Sequence, residues 1–139
     1  MKKKDASAAT LLRKGAAKLD EKDFLSAIKI FREAVQLEPN NAAARCKLGD
    51  SYNANDEFDR AIVEYTEAIR LDADNGAAFL GRGVSYESKE EENKANADYS
   101  RCIAACNRAI ARNGMDADAY ISRAFAHEYS GLNSHSVEL

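Results

Sequence analysis

Small and aromatic residues recur in a fixed order, and at one constant interval, along most of this chain. The recurrence combines a glycine, an alanine, an aromatic residue and a second small residue in each interval. A fixed period of roughly 20–50 residues is typical of repeat architectures, in which each unit packs mainly against its neighbours. An ordinary helical bundle would produce apolar stripes but not the period. The matching series are Gly15, Gly49 and Gly83; Ala27, Ala61 and Ala95; Phe31, Tyr65 and Tyr99; and Ala34, Ala68 and Cys102.

The spacing within each unit is helical. Ala61, Tyr65 and Ala68 follow one another at intervals of four and three residues, which places them on one face of a helix. The polar segment "NANDEFD" precedes this helix, and "LEPNN" and "LDADN" end the second helices of the first two units. Pro39 cannot continue a helix, and the asparagines are good caps for the next one. Each unit is therefore predicted to be two antiparallel helices joined by a tight turn, with glycine and alanine allowing close approach.

These residues together resemble the tetratricopeptide repeat, a helix-turn-helix unit with a period of about 34 residues. The resemblance covers residues 8 to about 130. It implies an all-α fold, a right-handed α-solenoid of antiparallel helix pairs with three units and a further terminal helix. We expect a single domain over 8–130, with units at 8–41, 42–75 and 76–116 and a final helix over 117–130. Residues 1–7 and 131–139 are expected to be flexible.

The third unit departs from the pattern. Glu92 stands where the other units have Phe24 and Phe58, and the interval from Gly83 to Ala124 exceeds the period by seven residues. Seven extra residues are nearly two helical turns, which keeps the apolar face in place. We therefore predict a long second helix over about 92–112; the alternative is a helix that ends near residue 106, followed by a separate turn.

The final predicted helix is apolar on more than one side, whereas a terminal cap normally has a polar outer face. Gly131 and Asn133 are expected to end it. Two interpretations follow: the chain is a fragment of a longer array, which we favour narrowly, or residues 117–130 form a partner surface, including one for self-association.

The resemblance implies a concave groove lined by the first helix of each pair. We predict that the chain is a protein–protein interaction scaffold or adaptor that binds a peptide or helix of a partner there. Self-assembly through the terminal or extended helix is the alternative. The predicted groove residues are Leu12, Arg13, Ala16, Leu19, Cys46, Lys47, Asp50, Asn53, Leu80, Val84, Ile121 and Phe125.

Family members that hold the acidic tails of heat-shock chaperones use a carboxylate clamp of Lys, Asn and Arg side chains. The matching places here hold Leu12, Ala16, Lys47, Ala77 and Gly81. Moving the frame by one unit gives no better match. Binding of a chaperone tail, the second alternative, would therefore need a non-standard geometry.

Composition excludes several other functions. The net charge of −3 gives no sign of nucleic-acid binding, and no apolar run approaches the roughly 18–20 residues that cross a bilayer. His127 and His135 have no nucleophile or carboxylate partner in the sequence pattern, so neither catalysis nor a cofactor is expected. Three cysteines without a secretory signal predict reduced thiols in the cytoplasm, with the nucleus possible, and no metal site.

Overall fold

The computed structural model describes the backbone of residues 7–137 and the side chains of residues 7–131. Within this part of the chain all regular structure is helical. The predicted flexible segment 1–7 lies, except for its last residue, outside the described residues, as do residues 138 and 139. The helices are α1 (Ala8–Asp20), α2 (Phe24–Leu37), α3 (Ala42–Ala54), α4 (Phe58–Leu71), α5 (Gly76–Ser88), α6 (Glu92–Arg112) and α7 (Ala117–Val137).

The helices form three antiparallel pairs, α1 with α2, α3 with α4 and α5 with α6, followed by α7. The first helices of the pairs pack against one another in order, and α7 continues this inner layer against α5. Over the described residues, α2, α4 and α6 do not come into backbone contact with each other. The inner helices are therefore close together and the outer helices are spread apart. This curvature puts α1, α3, α5 and α7 on the concave side.

Glycines set the distance between the two helices of each pair. A Cβ atom built on Gly49 would lie 2.8 Å from the ring of Tyr65. A Cβ atom built on Gly15 or Gly83 would lie 2.5 or 2.6 Å, respectively, from the ring of the aromatic residue sixteen positions later. The rings of the second helices thus occupy the space that a side chain would need. A glycine in a helix interior costs about 1 kcal/mol relative to alanine, and here that cost is offset by ring packing. The recurrence of glycine is therefore a packing requirement.

The turn inside each pair has the same backbone geometry three times. Lys22, Asp56 and Glu90, which occupy the same position in successive units, have φ angles of 60°, 60° and 62°. The residue after each of them donates its N–H to the carbonyl oxygen five residues earlier, at 2.8–2.9 Å. This is the left-handed helix ending that glycine usually adopts. Three non-glycine residues adopt it here, at a cost of roughly 1–2 kcal/mol each.

The turn between units locates the extra residues of unit three. Asn41, Asn75 and Asp116 cap α3, α5 and α7 by accepting the N–H of the third residue after them, at 3.0–3.1 Å. The first two caps are one period apart, and the interval from the second to the third is longer by seven residues, so the added residues lie between the last two caps. They extend α6 to Arg112, the bound expected from the sequence, and a helix ending near residue 106 is excluded.

Two arginines fix the extension of α6 to the array. Arg108 Nε donates to Asp74 Oδ1 at 2.8 Å, and Arg112 Nη1 donates to Asp74 Oδ2 at 2.7 Å. Asp74 belongs to the turn between α4 and α5. The last two turns of α6 are therefore held against the preceding unit by one carboxylate.

The prediction that the final helix ends at residue 130 is wrong, since α7 continues to Val137. A glycine ends a helix efficiently when it adopts a positive φ, and no glycine in the described part of the chain does so. Gly131 instead stays helical, and a Cβ there would meet nothing within 4 Å. The predicted flexible tail 131–139 therefore begins as helix in its backbone, and the side chains from residue 132 onward lie outside the described residues.

Candidate peptide-binding surface

Most of the predicted groove residues lie at the surface of the inner helices α1, α3, α5 and α7. Arg13, Lys47, Ile121 and Phe125 are exposed. Exposure of Ile121 (55 %) and Phe125 (43 %) is high for apolar side chains of this size. The half-buried members are Leu12, Ala16, Leu19, Asp50, Asn53, Leu80 and Val84.

Cys46 is the one predicted groove residue that the structure removes from the surface. It is 6 % exposed and belongs to the core formed by the first two units. Burial raises the pKa of its thiol well above the ordinary range. Leu12 and Leu80 occupy the equivalent positions in the preceding and following units and are half-buried. Their side chains are longer and reach the surface, whereas the short thiol stays inside the packed layer.

The C-terminal part of the concave surface is apolar. Leu80 and Val84 of α5 pack partly against the second core cluster, and Phe125 of α7 stacks on Tyr129 with ring centroids 5.8 Å apart. Tyr129 in turn lies 5.7 Å from the ring of Tyr99. The partly exposed ring of Phe125 is thus packed on Tyr129, which in turn packs on Tyr99. It presents a firm apolar surface rather than a free side chain.

The middle of the surface is polar and hydrogen-bonded. Lys47 Nζ lies 3.9 Å from Asp50 Oδ2, and the hydroxyl of Tyr65 donates to Asp50 Oδ1 at 2.6 Å. Burial raises the pKa of the Asp50 carboxyl above its ordinary value, although the bond from Tyr65 opposes the shift. Asn53 Oδ1 accepts a hydrogen bond from the hydroxyl of Ser85 at 3.0 Å. These contacts fix the polar side chains in position between the apolar ends.

Sequence reasoning missed the support that Tyr65 gives to this surface from inside the core, where its side chain is buried and its hydroxyl bonds to Asp50. Its ring fills the space beside Gly81 of the next unit, and a Cβ at Gly81 would collide with the ring atoms and the hydroxyl oxygen. A signal was available, because a tyrosine at residue 65 has a hydroxyl where Phe31 has none, and Asp50 stands where the first unit has Ala16. The paired change from apolar to hydrogen-bonding residues indicates a contact.

The third unit repeats this arrangement with different spacing. Tyr99 donates its hydroxyl to Glu87 Oε2 at 3.3 Å. Burial and the neighbouring carboxylate of Glu87 raise the pKa of the Tyr99 phenol above the ordinary range. Tyrosine–carboxylate bonds therefore connect outer to inner helices in two successive units.

The described residues of this surface do not form a metal-binding cluster. Over the described residues, no group of three or more His, Cys, Asp and Glu side chains is arranged to hold one. None of the described helices combines the length and apolar character required to span a bilayer. The described residues of this surface can contact a ligand through apolar packing, hydrogen bonds and charge.

Stacked antiparallel helix pairs with a concave inner layer define an α-solenoid repeat protein. The family model described as tetratricopeptide repeat matches residues 18–83, from the end of α1 into α5. The chain carries tetratricopeptide repeats over residues 18–83. No curated protein matches it in sequence.

Solved structures share this fold along nearly the whole chain. PcrH in complex with the chaperone binding region of PopD has a TM-score of 0.79 at 13 % identity, covering 91 % of this chain and 90 % of PcrH. The translocator chaperone SycD from Yersinia enterocolitica, in an alternative dimer, has a TM-score of 0.77 at 16 % identity over 94 % and 96 %. The first repeat domain of Spaghetti, bound to an HSP90 peptide, has a TM-score of 0.69 at 17 % identity over 88 % and 92 %. At these identities the likeness concerns the fold.

Proposed function

We propose that the concave side of this protein binds an extended segment or a helix of a partner protein. The observation that carries the proposal is the arrangement of apolar and polar side chains on α1, α3, α5 and α7. Apolar residues stand at both ends of the concave side and polar residues in the middle. The apolar ends are Leu12 and Leu19 on one side and Leu80, Val84, Ile121 and Phe125 on the other; the polar middle is Lys47, Asp50 and Asn53.

This arrangement favours a ligand with two apolar anchors separated by polar residues. Partly exposed leucine, valine and phenylalanine side chains gain free energy when a partner covers them, at roughly 25 cal/mol per Å² of apolar surface. The polar middle supplies specificity because Lys47 and Asp50 offer opposite charges side by side. A single short segment of this kind binds with micromolar affinity, about −8 kcal/mol. The proposal assigns no catalysis to the surface.

The proposal differs from capture of an acidic tail by a carboxylate clamp. The solved neighbour bound to an HSP90 peptide shows what that protein holds, but the clamp positions here contain Leu12, Ala16, Lys47, Ala77 and Gly81. Because the Tyr65 ring already fills the space beside Gly81, a long basic side chain has no room there. At the clamp positions an acidic tail would find one cation, Lys47, and that lysine is next to Asp50.

The test begins with selection of binding peptides from a random displayed library against the folded protein. A selected peptide is then titrated by fluorescence anisotropy against the parent and two variants. Val84→Glu places a charge on the concave side and should weaken binding at least about tenfold, as at interface hot spots. Val63→Glu makes the same change on α4, where the parent valine is 65 % exposed, and should leave binding unchanged.

A second pair of substitutions tests the polar middle. Lys47→Glu combined with Asp50→Lys reverses both charges, and we expect it to weaken a mixed-charge peptide by several-fold at low salt. Circular dichroism should show that each variant remains folded. Equal affinities for the parent, Val84→Glu and the charge-reversed protein would refute the assignment of the ligand to the concave side.

A further inference from the structure

The face of α7 that points away from the array is uncovered, although the same face is buried in the three complete pairs. Gly15, Gly49 and Gly83 are buried because a ring from the second helix lies on each of them. Ala124 occupies the equivalent position of α7, once the seven extra residues of α6 are counted, and is exposed. Since α7 has no second helix in the described residues, its outer face is open.

An aromatic residue lies on this open face, four residues before Ala124. Tyr120 is 41 % exposed, whereas Leu11 and Phe79, at equivalent positions in the first and third units, are 6 % and 8 % exposed. Arg123 lies over the Tyr120 ring, with its guanidinium carbon 5.1 Å from the centroid. A tyrosine left exposed where its counterparts are covered indicates a surface that another element covers.

The residues of the open face are arranged symmetrically about Ala124. Seven residues before and after it are Ala117 and Gly131, both small. Four residues before and after are Tyr120 and Glu128. A helix with this order is complementary to itself when two copies pair antiparallel with Ala124 at the crossing point. Small residues at the crossing and at both ends let the helices approach closely, as small residues do at other helix interfaces.

We propose that the occupant of this face is a second copy of the same chain, in a two-fold dimer that pairs α7 with α7 around Ala124. In this pairing Tyr120 of one copy faces Glu128 of the other, twice. The interface is isologous, as expected for the commonest type of homo-oligomer. This inference is independent of the proposed peptide-binding function, because the groove uses the concave side of α7.

Hydrogen bonding inside the protein supports the match between Tyr120 and Glu128. Tyr65 donates its hydroxyl to Asp50, and Tyr99 donates to Glu87, each between the two helices of a pair. The dimer would repeat the tyrosine–carboxylate contact between two copies of α7. Glu128 is exposed, so its carboxylate is accessible to the phenol of the second copy.

The size of the interface sets its strength. A single pair of helices buries less than the roughly 1,200–2,000 Å² of a stable standard interface. We therefore expect a reversible dimer that dissociates on dilution.

The test is sedimentation equilibrium of the full chain and two variants over a series of protein concentrations. Ala124→Arg puts two cations against each other at the two-fold axis and should raise the dissociation constant at least about tenfold. Ala104→Arg makes the same change at an exposed alanine of α6 and should match the parent. Circular dichroism should give the same helix content for all three proteins.

Cross-linking tests the register. After mild oxidation, Ala124→Cys should run as a covalent dimer on a non-reducing gel, because the two introduced thiols meet at the axis. Ala104→Cys should run as a monomer on the same gel. The native cysteines do not interfere, since Cys46, Cys102 and Cys106 are buried thiols. A parent protein that stays monomeric at every concentration, or a dimer that Ala124→Arg leaves intact, would overturn the proposal.

Discussion

The first four helices and the last three build on the same repeat in different ways. In α1–α4 the core cluster is formed by apolar side chains and aromatic rings, and the Arg45–Glu64 ion pair keeps contact with solvent, with side chains 22 % and 14 % exposed. In α5–α7 a carboxylate, Asp98, is fully buried, α6 has seven extra residues, and α7 has an open face. The regular half shows what the period requires. The irregular half shows that a buried carboxylate and a lengthened helix are tolerated when each has a local ionic partner.

The buried carboxylate should give the largest difference between the halves. Arg82 donates from Nε and Nη2 to the two oxygens of Asp98, each at 2.8 Å, and Arg101 adds a bond at 2.9 Å. Arg82→Ala would leave a buried charge with one exposed partner, and we expect a loss of about 3 kcal/mol in the free energy of unfolding. Urea denaturation measures the loss.

Arg45→Ala is the matched control in the first half. Its partner Glu64 can be rehydrated more easily because that pair is partly exposed, and the expected loss is about 1 kcal/mol or less. Equal losses in the two variants would show that the buried pair in α5 and α6 has no special importance.

Substitutions at the repeated glycine position should distinguish an inner helix that is covered by its second helix from α7, which is not. Gly49→Leu forces a side chain into the ring of Tyr65, and we expect it to lower the free energy of unfolding by roughly 1–3 kcal/mol. Ala124→Leu, at the equivalent position of α7, meets no covering ring and should change stability by less than about 0.5 kcal/mol in dilute solution. Thermal melts of both variants measure the difference, and a Gly49→Leu melt that matched the parent would contradict the contact.

The left-handed turns are a property that both halves share. Asp56→Gly in the first half and Glu90→Gly in the second remove the strain of a positive φ in a non-glycine residue. Each should stabilise the protein by roughly 0.5–1 kcal/mol. Ala54→Gly, two residues earlier in a helical turn, should lower stability by a similar amount. Opposite responses at residues 56 and 90 would show that the two turns are not equivalent.

Lowering the pH should change the stability contributions of Asp74 and Asp50 in opposite directions. Arg108 and Arg112 lower the pKa of Asp74 through hydrogen bonds. Its contribution to stability is therefore present above the ordinary pKa near 3.8 and is lost as the pH falls through the lowered, folded-state value. Burial raises the pKa of Asp50. Its contribution is therefore present below the ordinary pKa and is lost as the pH rises through the raised value.

Comparison of the parent with Asp74→Asn and Asp50→Asn at several pH values checks both signs. The stability advantage of the parent over Asp74→Asn should shrink toward low pH, and its advantage over Asp50→Asn should grow. Parallel pH profiles for the two variants would show that at least one of these electrostatic assignments is wrong.

The sequence predicted the helix pairs and the length of α6 because both depend on periodicity. Seven added residues keep the helical phase, so the position of Ala124 reports the extension without a structure. The capping asparagines were predictable for the same local reason. The left-handed turns were not, because Lys22 and its counterparts give no glycine signal.

The surface was harder to predict because it depends on side-chain reach across units. Cys46 stays buried since its side chain is short, although its position in the repeat is that of Leu12. Tyr65 supports the surface from inside the core, where its buried ring packs beside Gly81 of the next unit. The paired change at residues 50 and 65 indicates its bond to Asp50 but not this contact with the next unit. The end of α7 was missed because Gly131 was interpreted as a stop signal, and a glycine without a positive φ does not stop a helix.

Methyl NMR of the protein with a selected peptide tests the central claim most directly. The leucine, isoleucine and valine methyl groups report on both sides of the array. The claim predicts concentration-dependent shifts at Leu12, Leu80, Val84 and Ile121, with Leu25 and Val63 of the outer helices unchanged. Shifts confined to Leu25 and Val63, with the inner helices unaffected, would contradict it.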